Sequence, residues 1–266
     1  MIPIFVLSLT DCHDRRAGMS ESLTRIGLPF EFIDAIDGRH GLPPEYESQI
    51  DRVAARRAGR HLLDAEYACA LSHINVYRRI AAEKIAYALV LEDDLIPKPE
   101  LAEYLAGKHY EDAWLTQLYA GGIRVYVWRR QAKNLFAGYT SYLRVPEMSI
   151  DRTVATVVSY QAARHFIAHA LPVDKEADWP DCIETLVAQR HCRVVHPPLI
   201  ALADQYDSTI DKAGMRDKIR LRNKRFKRRF LGIAIRPFKF KATVGSLRRA
   251  LRKPFCKRLH PASHPR

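Results

Sequence analysis

The chain has 266 residues, of which 47% are hydrophobic, with ordinary glycine and proline contents. It is therefore long enough to bury one sizeable core or two small ones, and we expect a soluble globular protein. No apolar run approaches the roughly 20 residues that cross a bilayer, so we expect no transmembrane helix. The formal charge of +13 belongs to the end of the chain, because residues 211–266 hold 20 of the 43 Lys and Arg and 2 of the 30 Asp and Glu.

The five cysteines are odd in number and show no C-x-x-C pair. This usage is typical neither of a paired-cysteine zinc site nor of a disulfide scaffold, and it indicates a reducing cytoplasm. The apolar start, Met1 to Leu9, lacks the basic segment and the cleavage site of a signal peptide and runs directly into charged residues. We therefore expect it to be a buried first strand.

The first elements alternate between strand and helix. Ile4 to Leu9 predicts a strand, Asp14 to Gly27 has helical spacing that ends at a glycine, and Phe30 to Ile36 predicts a second strand. A strand–helix–strand unit favours a parallel sheet with crossover helices.

The alternation continues along the body of the chain. Glu66 to Ala82 predicts a helix, and Ala86 to Leu91 predicts a buried strand that ends at three acids. Further along we expect a strand from Val154 to Val158, a helix through Phe166 and Ile167, a loop from Leu171 to Pro180, and a last short strand at Val194 and Val195. The fold class is therefore α/β.

The acids Glu92, Asp93 and Asp94 directly follow the predicted strand. The carboxyl end of a sheet strand is where open α/β folds bind ligands. Neighbouring carboxylates there offer the oxygen ligands that Mg²⁺ or Mn²⁺ prefers, and such an ion could neutralise the diphosphate of a nucleotide-sugar. The alternative is that the acids only cap the next helix or face water.

Six segments of the chain form an ordered set of motifs. They are Ile4 to Leu9 with Asp14, Arg15 and Arg16, then Phe30 to Gly38, Glu66 to His73, Leu89 to Asp94, Leu171 to Asp174 and Val195 to Pro198. Each motif is weak by itself, but their shared order is specific. Together they resemble glycosyltransferase family 25, which includes lipooligosaccharide galactosyltransferases and collagen galactosyltransferases, and the resemblance covers roughly residues 2–210.

The resemblance implies a GT-A-like nucleotide-binding sheet with flanking helices over residues 1–210, a divalent metal (Mn²⁺ or Mg²⁺), and inversion at the anomeric carbon of the sugar. Asp94 would bind the metal, and Glu92 would bind the metal or the ribose. His196 could complete the metal's coordination, although a structural role for a lone histidine is at least as common. Donor-binding residues would be Arg15, Arg16, Asp37, Gly38, Ser72, His73, Glu92 and Asp93.

An inverting transfer needs a carboxylate that removes the proton from the acceptor hydroxyl. Asp174 is the first candidate because it follows the family-like Leu-Pro-Val segment, and Asp178 is the second. Asp174 could instead cap a following helix.

The implied reaction transfers a hexose, with galactose from UDP-galactose the commonest case in the family, to a lipooligosaccharide or lipopolysaccharide acceptor. Two alternatives stay open: a nucleotidyltransferase, which would usually show a glycine-rich phosphate loop, and a nucleic-acid-binding protein acting through the basic tail. The acidic body, about −5, argues against nucleic acid as a partner.

Residues 211–266 predict a basic amphipathic helical tail. Val244, Leu247, Leu251 and Phe255 recur at helical spacing among Arg and Lys. Such a segment can lie on an anionic membrane surface, so we expect a peripheral location at the inner face of the cell membrane, where a lipid-linked acceptor would be found. The aromatic residues of 107–148 have two possible roles: they could stack on an acceptor sugar, or they could pack in the core.

Overall fold

The first strand lies inside the main sheet, one strand from its edge, and is paired on both sides, as its uninterrupted apolar sequence predicts. In a computed structural model, which describes residues 1–119, 125–145, 154–177, 180–203 and 256–259, every residue of this strand is buried. Its neighbours on both sides run parallel to it, so the predicted strand–helix–strand unit is confirmed. The elements are β1 (Ile4–Ser8), α1 (His13–Arg25), β2 (Glu31–Asp34) and β3 (Tyr87–Glu92).

Beyond β3 the sheet is mixed, so the expectation of a parallel sheet is wrong for this half. The next strand is antiparallel to both of its neighbours, and two antiparallel strands close the far edge. Hydrophobic periodicity could not show this, because a strand buried on both faces has the same apolar sequence in either direction. The order is β2-β1-β3-β9-β5-β10-β8-β7, with β5 (Leu115–Gln117), β7 (Lys133–Asn134), β8 (Thr140–Leu143), β9 (Ala155–Ser159) and β10 (Cys192–His196).

Helices cover both faces of the sheet, and β3 shows how the two cores divide. Ala88 and Val90 pack into the core under one group of helices, whereas Leu89 and Leu91 pack into the core under the other. Because side chains alternate along a strand, Glu92 continues the row of Val90. The first face carries α3 (Asp64–Ala82), α5 (Tyr160–His169) and α6 (Pro180–Ala188), and the second carries α1 and α4 (Glu100–Ala106).

Short elements complete the described part of the chain. Two strands that follow the main-sheet strands β3 and β10 pair with each other and bring residue 203 back to the acidic turn, where the Ala203 N–H donates to the Asp94 carbonyl (2.9 Å). These are β4 (Leu95–Pro97) and β11 (Ile200–Leu202); α2 (Arg52–Arg57) and two 3₁₀ helices, Pro44–Gln49 and Arg129–Gln131, lie in the connections.

The aromatic segment contributes mainly to the core. Tyr110, Tyr119, Tyr139 and Tyr142 are all buried. For these residues the core interpretation holds, and no sugar could stack on them without a rearrangement of the packing.

Of the basic tail, the structure describes residues 256–259, which form β12 (Cys256–Leu259). This strand pairs antiparallel with β6 (Val125–Trp128). The predicted helix over Val244 to Phe255 lies outside the described residues. This end of the tail therefore contacts the body, and the expected domain boundary at residue 210 stays a prediction. Within the described ranges, no helix is long and apolar enough to cross a membrane.

Candidate active site

The acidic triplet lies where the sequence predicts it. Glu92 is the last residue of β3, and Asp93 and Asp94 form the turn that leads into β4. Parallel strands β1, β2 and β3 all end at this edge of the sheet, so residues that follow any of the three meet here. The three carboxylates nevertheless have different surroundings, which assign them different roles.

Asp93 is an internal residue. One carboxylate oxygen accepts a hydrogen bond from the Ser8 hydroxyl (2.6 Å), and the other accepts one from Arg15 Nη1 (2.9 Å). The side chains of Asp93 and Arg15 are each only 10% exposed. Asp93 therefore braces the end of β3 against β1 and α1. These contacts are internal, and the donor-binding roles that the family resemblance implies for Asp93 and Arg15 stay predictions.

Asp94 has the opposite environment. Its Oδ1 atom is buried and has no hydrogen-bond partner among the described residues. Burial, followed by the nearby charge of Glu92, raises the pKa of Asp94 to about 6. Burial of a carboxylate oxygen that accepts no hydrogen bond costs free energy unless a cation binds that oxygen. Asp94 is thus available for a ligand, whereas Asp93 is not.

Glu92 faces the α3 side of the sheet, as the alternation along β3 requires. Its Oε1 atom lies 3.2 Å from His73 Nε2, and the glutamate side chain is 27% exposed. His73 is 1% exposed, in the interior of α3, and is inaccessible to a donor unless neighbouring residues move. Its observed contact is with Glu92, so the structure gives His73 a role in orienting that carboxylate.

Ser72 also serves the fold. Its hydroxyl donates to the Ala68 carbonyl (2.7 Å) within α3 and accepts from the Ile36 N–H (2.8 Å). The hydroxyl thus acts both as a hydrogen-bond donor and as an acceptor, and Ser72 connects the segment after β2 to α3. The observed hydrogen bonds of Ser72 are internal, and its donor-binding role stays a prediction.

Arg16 spans the ends of the first two strands. Its guanidinium donates to the carbonyl oxygens of Ser8 (3.0 Å) and Leu9 (3.1 Å), forms an ion pair with Asp34, and lies over the ring of Phe32. It remains partly exposed, so its position beside the sheet edge is compatible with a phosphate contact, although its observed partners are internal.

Asp37 and Gly38 shape the loop after β2. Asp37 accepts two hydrogen bonds from the Arg39 guanidinium and one from its backbone N–H, and these bonds lower the pKa of Asp37 to about 2. A Cβ atom on Gly38 would lie 2.5 Å from the carbonyl oxygen of Asp64, at the start of α3. Gly38 is therefore required for close approach of the loop to α3.

Of the two candidate bases, the structure describes only Asp174. Asp178 lies outside the described residues. Asp174 is partly exposed in the loop after α5 and lies 3.6 Å from the Lys175 ammonium. Backbone hydrogen bonds of Val173 with Gln49 and Asp51 fix this loop, each 2.8 Å long. Burial raises the pKa of Tyr67, near the start of α3, and the charge of Asp174 acts in the same direction.

The structure does not bring His196 to the acidic triplet. Val90, Thr156, Gln117 and Val194 form one row across the sheet, so Glu92 and His196, two residues further on, are level with each other. They are three strand spacings apart, roughly 14 Å between backbones. His196 pairs with Thr140 on β8 instead. The expected ligation of one metal by His196 together with Glu92 and Asp94 therefore has no support in this arrangement.

Sequence reasoning missed Ser8, which orients Asp93, and Cys69, which lies beside His73 and Glu92. Spacing offered one usable signal, since Cys69 and His73 are one helical turn apart and so must share a face of α3. The C-x-x-C pattern does not detect this pair, because its second ligand is a histidine four residues after the cysteine. No local signal distinguishes Ser8 from any other residue at a strand end.

Glu92 and Asp94 fit a hard divalent cation. Both carboxylates are partly buried, and burial together with the charge of Glu92 raises the pKa of Asp94. Among the described residues no hydrogen-bond donor contacts Asp94 Oδ1. Oxygen ligands of this kind are those that Mg²⁺ and Mn²⁺ prefer, and a bound cation would remove the mutual repulsion.

Curated relatives align with part of this chain. The lacto-N-neotetraose biosynthesis glycosyltransferase LgtB of Neisseria meningitidis serogroup B is 32% identical over 114 residues, 42% of this chain and 38% of that protein. The lipooligosaccharide biosynthesis protein lic2B of Haemophilus influenzae is 28% identical over 115 residues, 43% and 40% of the two chains. Procollagen galactosyltransferase 1-A of Xenopus laevis is 27% identical over 100 residues, 35% and 16% of the two.

These alignments span about two fifths of the bacterial relatives' length. Among solved structures, mannose-1-phosphate geranyltransferase from Thermus thermophilus has a TM-score of 0.33 and 12% identity over 73% of each chain, too low for any inference. The family model described as "Glycosyltransferase family 25 (LPS biosynthesis protein)" matches residues 1–178, which include the acidic triplet and Asp174. This chain belongs to glycosyltransferase family 25.

Proposed function

We propose that the protein is an inverting glycosyltransferase that transfers a hexose, galactose in the first instance, from a UDP-sugar to a lipooligosaccharide or lipopolysaccharide acceptor. The observation that carries the proposal is the pair Glu92 and Asp94 at the carboxyl ends of the parallel strands in a chain of this family. In the part of the chain that the structure describes, no hydrogen-bond donor contacts the buried Oδ1 atom of Asp94. The mixed sheet with helices on both faces supports the coarser fold class, and GT-A remains our proposal for the finer one.

In this mechanism Glu92 and Asp94 would hold Mn²⁺ or Mg²⁺, which supplies positive charge to the diphosphate leaving group. His73 orients Glu92 through its ring nitrogen, and the Asp93–Arg15 pair with Ser8 fixes the turn that carries Asp94. Fixed carboxylates need no reorganisation when the charge of the leaving group develops, which is how preorganised sites lower the barrier.

Asp174 is the general base in this proposal. It lies in the matched region of the chain, on a loop whose backbone is fixed, and its carboxylate is accessible. The side chain would accept the proton of the acceptor hydroxyl as that oxygen attacks the anomeric carbon from the face opposite UDP.

Release of UDP from a panel of UDP-sugars in the presence of Mn²⁺ tests this function, because slow hydrolysis of the donor needs no acceptor. We expect release from one hexose donor, its loss with a chelator, and its loss in Asp94→Asn. Glu21→Gln, at an exposed position on α1, is the matched control and should retain release. Metal-independent release, or full activity of Asp94→Asn, would contradict the proposal.

We also propose that the tail binds an anionic membrane surface. Its 20 Lys and Arg against 2 Asp and Glu support this, since each basic residue near such a surface contributes on the order of 1 kcal/mol. The protein would then work at the inner face of the membrane, beside a lipid-linked acceptor.

Because β12 contacts the body, truncation of the tail would also remove a strand of the structure. A better test replaces Arg248, Arg249, Arg252 and Lys253 with Gln in the full chain. Sedimentation with anionic liposomes should fall, increasingly with salt, while UDP release is retained. Unchanged sedimentation, or preference of the unaltered chain for DNA over liposomes at physiological salt, would refute the membrane proposal.

A further inference from the structure

Three side chains with different metal-binding chemistry meet beside the acidic turn. Cys69, His73 and Glu92 each place one potential ligand atom within 4.8 Å of the other two. Cys69 and His73 are one turn apart on α3, which stacks their side chains on the same face, and Glu92 reaches them from the end of β3. Two rigid elements therefore position the cluster.

The donor set differs from that of the Glu92–Asp94 pair. A thiolate and an imidazole suit cations of the zinc class, whereas Mg²⁺ and Mn²⁺ prefer oxygen alone. Three protein ligands with a fourth position open are a common zinc arrangement. The cluster has this composition, and the acidic pair does not.

Distances and burial also fit such an ion. Two nitrogen or oxygen ligands of a tetrahedral zinc, each at roughly 2.0–2.1 Å from the metal, are roughly 3.4 Å apart. His73 Nε2 and Glu92 Oε1 are already 3.2 Å apart. His73 is 1% exposed and held within its helix, while Cys69 and Glu92 are half-buried and can be reached from water.

We propose that Cys69, His73 and Glu92 form a binding site for a thiophilic divalent cation of the Zn²⁺ class. The cluster shares Glu92 with the proposed donor-cation pair. A Zn²⁺ ion bound to Cys69, His73 and Glu92 would prevent Glu92 from binding Mn²⁺ together with Asp94, and it would so inhibit Mn²⁺-dependent transfer. This regulatory part rests on the proposed function.

Cobalt(II) is a suitable probe, because a thiolate ligand gives a charge-transfer band in the near ultraviolet that imidazole and carboxylate ligands do not. The untagged full chain, kept reduced, should develop this band with one equivalent of Co²⁺. Cys69→Ser should abolish it. Cys12→Ser is the matched control, because Cys12 is also a partly exposed free cysteine, and it should retain the band.

Glu92→Gln should weaken Co²⁺ binding by about ten-fold or more, since even partners outside the first ligand shell contribute that much. Absence of the band, its survival in Cys69→Ser, or its loss in Cys12→Ser would overturn the site. None of these measurements requires turnover, so they remain decisive if the proposed transferase activity is not found.

Mn²⁺-dependent UDP release then tests the shared ligand. One equivalent of Zn²⁺ should inhibit the unaltered chain and should not inhibit Cys69→Ser. Equal inhibition of both proteins, or none in either, would overturn the sharing of Glu92 between the two sites.

Discussion

Asp94→Asn should stabilise the protein while it abolishes metal-dependent activity. In the folded chain, burial and the charge of Glu92 raise the pKa of Asp94 from 3.8 to about 6. A raised carboxyl pKa means that folding disfavours the charged form. The stability that the protonated Asp94 side chain contributes is complete below pH 3.8, where the carboxyl is protonated in both the folded and the unfolded chain. This contribution is lost as the pH rises through 6.

The magnitude follows from the shift of about two pH units. At about 1.4 kcal/mol per unit, the charged carboxylate lowers the free energy of unfolding by at most about 3 kcal/mol above pH 7. Asparagine has almost the same shape and no charge, and its amide can donate to Glu92. We therefore expect Asp94→Asn to gain up to about 3 kcal/mol at pH 7.5, about half of that near pH 5, and nothing at pH 3.5.

Urea unfolding without divalent metal, at these three pH values, measures the difference. Added Mn²⁺ should stabilise the unaltered chain and leave Asp94→Asn unchanged, because a cation bound only by the folded state shifts the equilibrium toward it. The assignment of Asp94 as a buried carboxylate that destabilises the fold until it binds a cation would be refuted by either of two results. One is a lower free energy of unfolding for Asp94→Asn at pH 7.5, and the other is a gain in that free energy that does not shrink as the pH falls.

Three further predictions concern the surrounding residues. Asp93→Asn removes the buried carboxylate charge that pairs with Arg15 and should lower the free energy of unfolding by about 3–5 kcal/mol. Glu21→Gln, which removes an exposed ion pair on the same helix, should change it by less than about 1 kcal/mol in urea unfolding. Asp174→Asn should bind UDP with Mn²⁺ as tightly as the unaltered chain, measured by calorimetry, yet lose transfer by roughly 10² to 10⁴-fold; weakened UDP binding would instead place Asp174 at the donor. Mn²⁺ affinity should fall below pH 6 as Asp94 becomes protonated, and a pH-independent affinity in titrations from pH 5 to 8 would exclude Asp94 as the ligand.

The position of the candidate site could be predicted from sequence, and its division of roles could not. An apolar run followed by Glu92, Asp93 and Asp94 places acids at a strand end on local evidence alone. Ser8 and Arg15 bind the Asp93 carboxylate and so leave Asp94 as the acid that can bind a ligand. Each of them is more than 75 residues from Asp93 in the sequence, and sequence spacing carries no information about such contacts. The resemblance to the family was confirmed, but it could not separate residues that face a donor from residues that brace the turn.

The limits at the level of the fold have a similar cause. Periodicity located β1, α1, α3 and β3 to within a few residues because each has a single buried face or is buried throughout. It could not give the direction of β9 or the position of His196, since both depend on the order of strands across the sheet. For this reason the predicted metal site that includes His196 has no support in the order of the strands.

The place of β9 in the sheet also affects how the chain is made. When residue 92 has left the ribosome, β1, β2 and β3 can already pair, but the strand that covers the other edge of β3 begins 63 residues later, at Ala155. Until then β3 presents an open, apolar edge, which is the kind of surface that pairs with other chains. The nascent N-terminal part is therefore where we expect chaperones to act, and long-range closure by β9 should limit the rate of folding.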